Sequence, residues 1–590
     1  MGSLADEIST QQISCGKLDT EINSTYASIT KKNIVNLLFK KDASLWNKDE
    51  KQTKEISLRL GWLTLPDHYE QKVKDLTSFA TQVKEEGFTN AILLGMGGSS
   101  LCSEVAVQTF GSRKGYPELL VLDNTSTEAI SALEKKINID KTLFIAASKS
   151  GNTEETLSFF HYFYKKLEDK KFNNPGNNFI AITDDGTPLV KLAKQYNFKK
   201  TFLNQPDLGG RYSVLSDFGL VPMALMGVDI AALLASAKQM EISCKHEDAA
   251  TNPGVELGVL LGVCQKRKKD KVTFVLSSSI KSFGYWVEQL LAESTGKEGR
   301  GLIPINGEEP GSPDVYGNDR VFIHMYLTSD NNKADEKKLE ALEKAGHPVV
   351  RICLADKLAL GGEYYRWEIA TAIAGLIIDI NPFDQPNVEE SKKNTSDILE
   401  DWVKDGSFKK SDPLINMDGI SIYGSKKTES VASAHHSSIA DFIDAFTKQA
   451  ATNNYIALLP YFLMTDSRTK ILQEWRQKMR DELKTATTLL NGPRYLHSTG
   501  QLHKGGPDTG VFFQITANDA VDFAVPGEPY TFGILKQAQA LGDFRSLAKR
   551  GRRAIRVDLG SDTLRGLARL RHLIIEAGHN EPGAVASGGN

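Results

Sequence analysis

No stretch of this sequence is apolar for long enough to cross a bilayer. The longest, over residues 370–380, falls far short of the roughly 20 residues that a spanning helix needs. Cysteine is scarce as well. Cys15, Cys102, Cys244, Cys264 and Cys353 are odd in number and scattered. No pair has CxxC or metal-ligand spacing, which excludes a disulfide framework and fits a reduced cytosol. There is no HExxH and no Cys/His cluster, so neither a metal nor a cofactor is expected. Charge of one sign is not in excess either. The net charge of −3 gives no electrostatic reason for nucleic acid or a membrane to be a partner. A small anionic substrate would need local basic groups. The N-terminus, Met1 to Glu7, has no basic n-region and no apolar h-region, and Asp6 stands where a myristoylation pattern wants Ser or Thr. A cytoplasmic protein is expected.

What is present is ordinary for a globular chain: 40% hydrophobic and 25% charged residues over a length of 590. That length exceeds one hydrophobic core and predicts about two to four domains. Residues 1–45 read as a helical arm. Short apolar runs then alternate with helical periodicity: Ala91 to Gly95, Leu119 to Leu122, Leu143 to Ala147 and Phe179 to Ile182. A second series holds Val272 to Leu276, Val321 to Tyr326 and Val349 to Cys353. A third holds Tyr455 to Leu459, Gly510 to Ile515 and Ala554 to Val557. Buried-type strands separated by helices predict an α/β fold with parallel sheets covered on both faces. The expected units are 46–240, 241–400 and a C-terminal α/β segment, 401–590. Residues 394–450 read as a polar linker and the Gly/Ala/Ser-rich tail from about 580 as disordered. Gln265 to Lys271 and the basic cluster Arg545 to Arg556 read as solvated surface.

Four segments carry chemistry. Gly95-Met-Gly-Gly-Ser-Ser100 follows a strand and opens a helix, where backbone N–H groups can converge on an anion. Position 100 is Ser, so the dinucleotide fingerprint is broken, and no Walker lysine is present. Ser148-Lys-Ser-Gly-Asn-Thr-Glu-Glu-Thr156 also links strand to helix. Its hydroxyls and first-turn amides suit the several oxygens of a phosphate monoester; an ordinary N-cap is the plainer reading. Two such loops at the carboxyl ends of parallel strands predict one ligand crevice. Gly209-Gly-Arg211 brings a guanidinium close to a substrate. Gln289-Leu-Leu-Ala-Glu293, followed by Ser-Thr-Gly-Lys297, ends an apolar helical run with a shielded carboxylate. Shielding raises a carboxylate's pKa and suits a general base near neutrality.

In this order the segments GMGGSS, SKSGNTEET, GGRYS and ESTGK resemble those of the phosphoglucose isomerases, which are built from two sugar-isomerase (SIS) domains. Asn381-Pro-Phe-Asp-Gln-Pro-Asn-Val-Glu-Glu-Ser-Lys392 is similar to that family's late catalytic-lysine segment. The wider chain, including Gly492 to Gly506 and Gly527 to Gly533, looks closest to the isomerase half of bifunctional transaldolase/phosphoglucose isomerases. Only about 45 residues precede that half here, too few for an aldolase-type barrel, so transaldolase activity is not expected. The resemblance implies two SIS-type doubly wound domains plus the C-terminal segment. It implies a glucose 6-phosphate/fructose 6-phosphate isomerase working through a cis-enediol(ate). Rivals are a dual phosphoglucose/phosphomannose isomerase and a non-catalytic sugar-phosphate-binding regulator.

Residue by residue, the resemblance implies phosphate binding by Ser148, Lys149, Ser150 and Thr153, with Gly98 and Ser99 lining the site. Arg211 would stabilise the enediolate, Gln289 would contact substrate, Glu293 would carry the proton, and Lys392 would stand near the ring oxygen and C1. The family's ring-opening histidine lies between its glutamate and lysine motifs. In this chain that interval holds only His324, expected in the core, and His347, expected exposed. His503, in Gly500-Gln-Leu-His503, is taken as the first candidate, with His497 second as a residue lining the site. The family takes this histidine from a neighbouring subunit. The third segment is therefore expected to complete the site either within the chain or across a homodimer.

Overall fold

A computed structural model describes residues 9–428, 438–450 and 452–576. It contains three β-sheets flanked by helices. In the first, β2 (Asn90–Gly95), β3 (Glu118–Leu122), β4 (Thr142–Ala147), β5 (Phe179–Thr183) and β6 (Lys200–Leu203) lie in the order β3-β2-β4-β5-β6, all parallel. Every residue of β2 and of β4 is buried, as continuous apolar runs covered on both faces must be.

The second sheet contains β7 (Lys271–Leu276), β8 (Ile303–Ile305), β9 (Arg320–Leu327) and β10 (Val349–Leu354) in the order β8-β7-β9-β10. These four are parallel. A fifth strand, β1 (Ser9–Ser14), closes its edge antiparallel to β10. The arm thus begins as a strand, with helices only from Asp19 onward. Its sequence, Ser-Thr-Gln-Gln-Ile-Ser, is too polar to announce this, and its partner is more than 330 positions away.

The third sheet runs β14-β13-β15-β16-β12-β11. Its parallel strands are β13 (Tyr455–Tyr461), β14 (Ala486–Leu489), β15 (Gly510–Thr516) and β16 (Arg553–Asp558). The antiparallel pair β11 (Ile415–Met417) and β12 (Ile420–Gly424) extends its edge. Residues 394–450, read as a linker, therefore contribute the end of a helix, Pro386–Asp405, two strands and the helix Ile439–Thr447. The tail from about 580 lies outside the described residues.

In all three sheets the first strand of the parallel set sits between the second and the third. The chain leaves it in one direction and returns on the other side. That reversal opens a crevice beyond the carboxyl ends of those strands. The sheets share cores. The apolar cluster on one face of the first sheet includes Val525, Phe532 and Leu535 from the third unit. Another joins Ala292, Ile303 and Ile305 to Tyr455, Ala457 and Leu459. The third unit is thus packed against both others, and this brings its loops to the first sheet's crevice.

Several side chains read as surface or exposed are buried. Lys271 is fully covered and paired with Asp270 and Asp319. Arg552 donates to the Lys504 and Gly506 carbonyls. His347 packs on Phe322, and burial pulls its pKa down to about 4. His324 is a core histidine, as expected, with Nδ1 3.2 Å from Glu336.

Candidate active site

The loop after β2 and the loop after β4 lie side by side, because β2 and β4 are neighbours in the sheet. Ser148 ends β4's run, and its Oγ meets Thr153 Oγ1 at 2.7 Å and accepts from the Gly151 amide at 3.1 Å. Thr153 stands at the N-cap of the helix Glu154–Asp169, yet its side chain caps nothing. The plain N-cap reading therefore does not hold. The hydroxyl is turned to Ser148, and the first-turn amides keep their capacity for an anion. Ser150 is exposed and donates to Asn152 Oδ1 at 2.5 Å. Lys149 is turned away, into an ion pair with Asp184.

The glycine loop is pressed between other segments. A Cβ on Gly98 would lie 2.1 Å from the Gly210 carbonyl oxygen. Gly97 adopts φ +55°, and a Cβ there would lie 2.6 Å from the His497 carbonyl and 3.1 Å from Gln289 Nε2. Side chains are excluded at both positions so that four segments can converge. Ser99, beside them, is buried.

Glu293 lies near the end of the helix Phe283–Thr295 and is 9% exposed. One turn earlier, Gln289 donates through Nε2 to Glu293 Oε2 at 2.9 Å and to the His497 carbonyl at 2.8 Å. Arg211 Nη1 lies 3.2 Å from Glu293 Oε1. The same guanidinium donates to Ser294 Oγ (2.7 Å), Gln385 Oε1 (3.0 Å), and the carbonyls of Pro382 (2.7 Å) and Asp384 (2.9 Å). Arg211 thus fixes the carboxylate against the turn that starts the Lys392 helix. Lys297, from the same motif as Glu293, holds that turn too. It donates to the Asn381 carbonyl at 2.7 Å and to Asp384 Oδ1 at 2.6 Å. Burial, and then the nearby Arg211 charge, bring its pKa down to about 8.

His497 closes the cluster from the third unit. Its Nε2 lies 2.9 Å from Glu155 Oε1. Burial alone would raise the Glu155 pKa, but the His497 charge and hydrogen bond and the Lys392 charge hold it below the usual carboxylate value. Gln539 also donates to Glu155, at 2.6 Å. Lys392, half-exposed and paired with Glu389 at 2.9 Å, shares with Thr153, Glu155 and His497 a cleft of about 320 Å³.

His503, expected first as the ring-opening group, is not brought to this cluster. It is 2% exposed and packed between Tyr495 and Phe512, at centroid distances of 5.5 and 5.1 Å. Burial and the neighbouring Lys504 and Arg552 charges push its pKa well below the usual imidazole value. It occupies the core of the third unit. Four partners were missed by sequence reasoning. Glu155 and Lys297 lie inside the quoted loop and glutamate motifs, and Gln385 inside the lysine segment. Gln539 had no local signal. Among the described residues, no group of three or more His, Cys, Asp or Glu side chains could hold a metal ion. No helix there is long and apolar enough to cross a membrane.

Glycine- and serine-rich loops at the crevice of a parallel sheet, with an acid and an imidazole beyond them, define an α/β protein of the SIS-type fold. Residues 67–301 match the family described as phosphoglucose isomerase. The glucose-6-phosphate isomerase of Methanocaldococcus jannaschii is 30% identical over 346 residues, 52% of this chain and 83% of that one. A probable glucose-6-phosphate isomerase of Methanococcus maripaludis is 29% identical over 425 residues, 65% of this chain and 95% of that one. Among solved structures, a hypothetical protein of Thermus thermophilus shares the fold with a TM-score of 0.55 at 23% identity, covering 66% of this chain and 99% of that one. A glucose-6-phosphate isomerase of Chlamydia trachomatis does so with a TM-score of 0.55 at 15% identity, covering 67% and 89%. The chain belongs to the phosphoglucose isomerase family.

Proposed function

We propose that this chain interconverts glucose 6-phosphate and fructose 6-phosphate, with Glu293 carrying the proton between C2 and C1 and His497 opening the ring. The observation that carries this reading is the double donation by Gln289 Nε2, to Glu293 at 2.9 Å and to the His497 carbonyl at 2.8 Å. One amide fixes the relative placement of a base and an imidazole. An aldose–ketose isomerase needs both at one substrate.

The phosphate is held by the hydroxyls of Ser148, Ser150 and Thr153, the first-turn amides beside them, and the loop at Gly98 and Ser99. In the closed sugar, His497 passes a proton to the ring oxygen, the C1 hydroxyl gives its own to water, and the bond between C1 and the ring oxygen breaks to leave the C1 aldehyde. Glu155 holds the imidazole in place through the 2.9 Å contact at Nε2. Glu293 then takes the C2 proton. Charge grows on the C1 oxygen, where Arg211 and Lys392 stabilise the cis-enediolate. The C2 hydroxyl proton passes to the C1 oxygen, and Glu293 returns its proton to C1, giving the C2 ketone and a C1 hydroxyl. Each group belongs to one chain, so turnover per chain should not change as the enzyme is diluted.

A coupled assay on fructose 6-phosphate tests the assignment. Glu293→Gln should lower kcat by about 10²–10⁴ while phosphosugar binding persists. Retained turnover would contradict it. Mannose 6-phosphate in the same assay decides epimer preference.

A further inference from the structure

The third sheet repeats the strand order of the first. β13 lies between β14 and β15, as β2 lies between β3 and β4. In the first sheet the reversal point carries the two anion loops. In the third, the last residues of β13, β15 and β16, namely Tyr461, Thr516 and Asp558, line a groove of about 380 Å³ that the isomerisation does not use. We infer that this groove is a second anion site, which binds a small phosphate monoester and acts on the isomerase centre through the helix Phe532–Lys549.

Three observations support this. The first is its location, since ligands of open α/β sheets gather at the reversal point beyond the carboxyl ends. The second is charge. Lys409, Lys410, Lys536 and Arg556 line the groove with Asp412 and Asp558; Lys409, Lys536 and Arg556 are paired with Asp401, Asp519 and Asp558. Lys410 makes no ion pair among the described residues. The third is an unmet donor. The Arg556 guanidinium lies 3.9 Å from the Tyr423 ring centroid. Its Nη1 reaches Asp558 at 3.2 Å, but its Nε–H is buried without an acceptor. A buried N–H left unpaired costs free energy, which an incoming oxygen removes once the guanidinium turns from the Tyr423 ring toward the groove. Ser411 and Asn518 add further donors beside it. That set suits the several oxygens of a phosphate better than the two of a carboxylate. The volume is at the small-ligand end of ordinary binding pockets.

Two routes join the groove to the centre. The helix Phe532–Lys549 presents Lys536, Gln537 and Ala540 to the groove, and from the same helix Gln539 donates to Glu155, the partner of His497. Tyr461, at the groove, meets the Tyr495 hydroxyl at 3.0 Å. Tyr495 belongs to the short 3-10 helix Arg494–His497. An occupant therefore touches the helix that carries Gln539 and the tyrosine that meets Tyr495, without touching the substrate.

The test uses the full chain carrying Ser148→Ala and Thr153→Ala, which disables the first-sheet loop. Calorimetric titration with inorganic phosphate and with phosphoenolpyruvate, neither of which is an isomerase substrate, should still show one saturable site. Adding Lys410→Glu or Arg556→Met should weaken it about tenfold, the loss of one charge-assisted bond. Lys410 is exposed, so its variant reports on binding even if Arg556→Met fails to fold. In the chain with its loop intact, phosphoenolpyruvate should change kcat at saturating fructose 6-phosphate, and Lys410→Glu should abolish that change. No saturable binding in the loop-disabled chain, or binding indifferent to Lys410→Glu, overturns the site. Binding that leaves kcat unchanged overturns its action on the centre. The isomerase assignment stands or falls separately, on Glu293→Gln.

Discussion

The first and third sheets share one strand order and differ in what fills the reversal point. In the first sheet it holds two short loops, Gly95–Ser100 and Ser148–Thr153, whose glycines let neighbouring segments approach within a Cβ's radius. In the third it holds long basic side chains, Arg556 among them, flattened on Tyr423. Backbone amides at a helix start bind an anion tightly and at a fixed position. Flexible cations bind it with less positional demand. Under the proposed mechanism, the first arrangement suits a substrate whose C2 must reach Glu293, and the second suits the proposed effector.

Several substitutions can break or sharpen that division. Ser148→Ala with Thr153→Ala should raise KM for fructose 6-phosphate by about 10²-fold, two charge-assisted bonds lost, with a smaller change in kcat. Lys410→Glu, its counterpart in the third sheet, should leave KM unaltered without added phosphate; an equal rise there would end the distinction between the two sites. Gln289→Leu should lower kcat/KM by about tenfold, because base and imidazole lose their common tether, while the phosphosugar dissociation constant stays put.

Gly98→Ala should cost about 1–3 kcal/mol of stability, read as a lower midpoint in thermal unfolding, since the new Cβ would meet the Gly210 carbonyl oxygen at 2.1 Å. Gly210→Ala, facing open space, is the control and should unfold like the parent. The smallest effect concerns pH. Lys297 is lowered to about 8 from 10.5, so between those values the unfolded chain binds more protons than the folded one. Stability contributed at this position therefore rises as pH increases from about 8 to about 10.5. Denaturant midpoints of Lys297→Met against the parent across that window should show the parent gaining on the variant.

Much of this arrangement is legible in the sequence because it is local. An apolar run closed by a glycine-rich turn announces strand, loop and helix within about 20 residues, and β2, β4 and their loops lie where that reading puts them. What is not legible depends on distant partners. The polar strand β1 exists because β10 offers it an unpaired edge. His347 is buried because Phe322, on a neighbouring strand, covers it. Likewise, Gly500-Gln-Leu-His503 drew attention by local spelling, but its histidine points into the third unit's core. His497, six residues earlier, reaches Glu155 and lies at the glycine loop because three units meet there. Spacing along the chain carries no information about such a meeting.

The central claim is that one site is assembled from all three sheets, with the imidazole supplied by the third. Rates on the closed-ring sugar, compared with rates on its open-chain form, test it most directly in His497→Ala and His503→Leu. The account predicts that His497→Ala loses about 10²-fold or more on the closed ring and much less on the open chain, while His503→Leu keeps both. Equal losses on both forms in His497→Ala, or a closed-ring defect confined to His503→Leu, would contradict it.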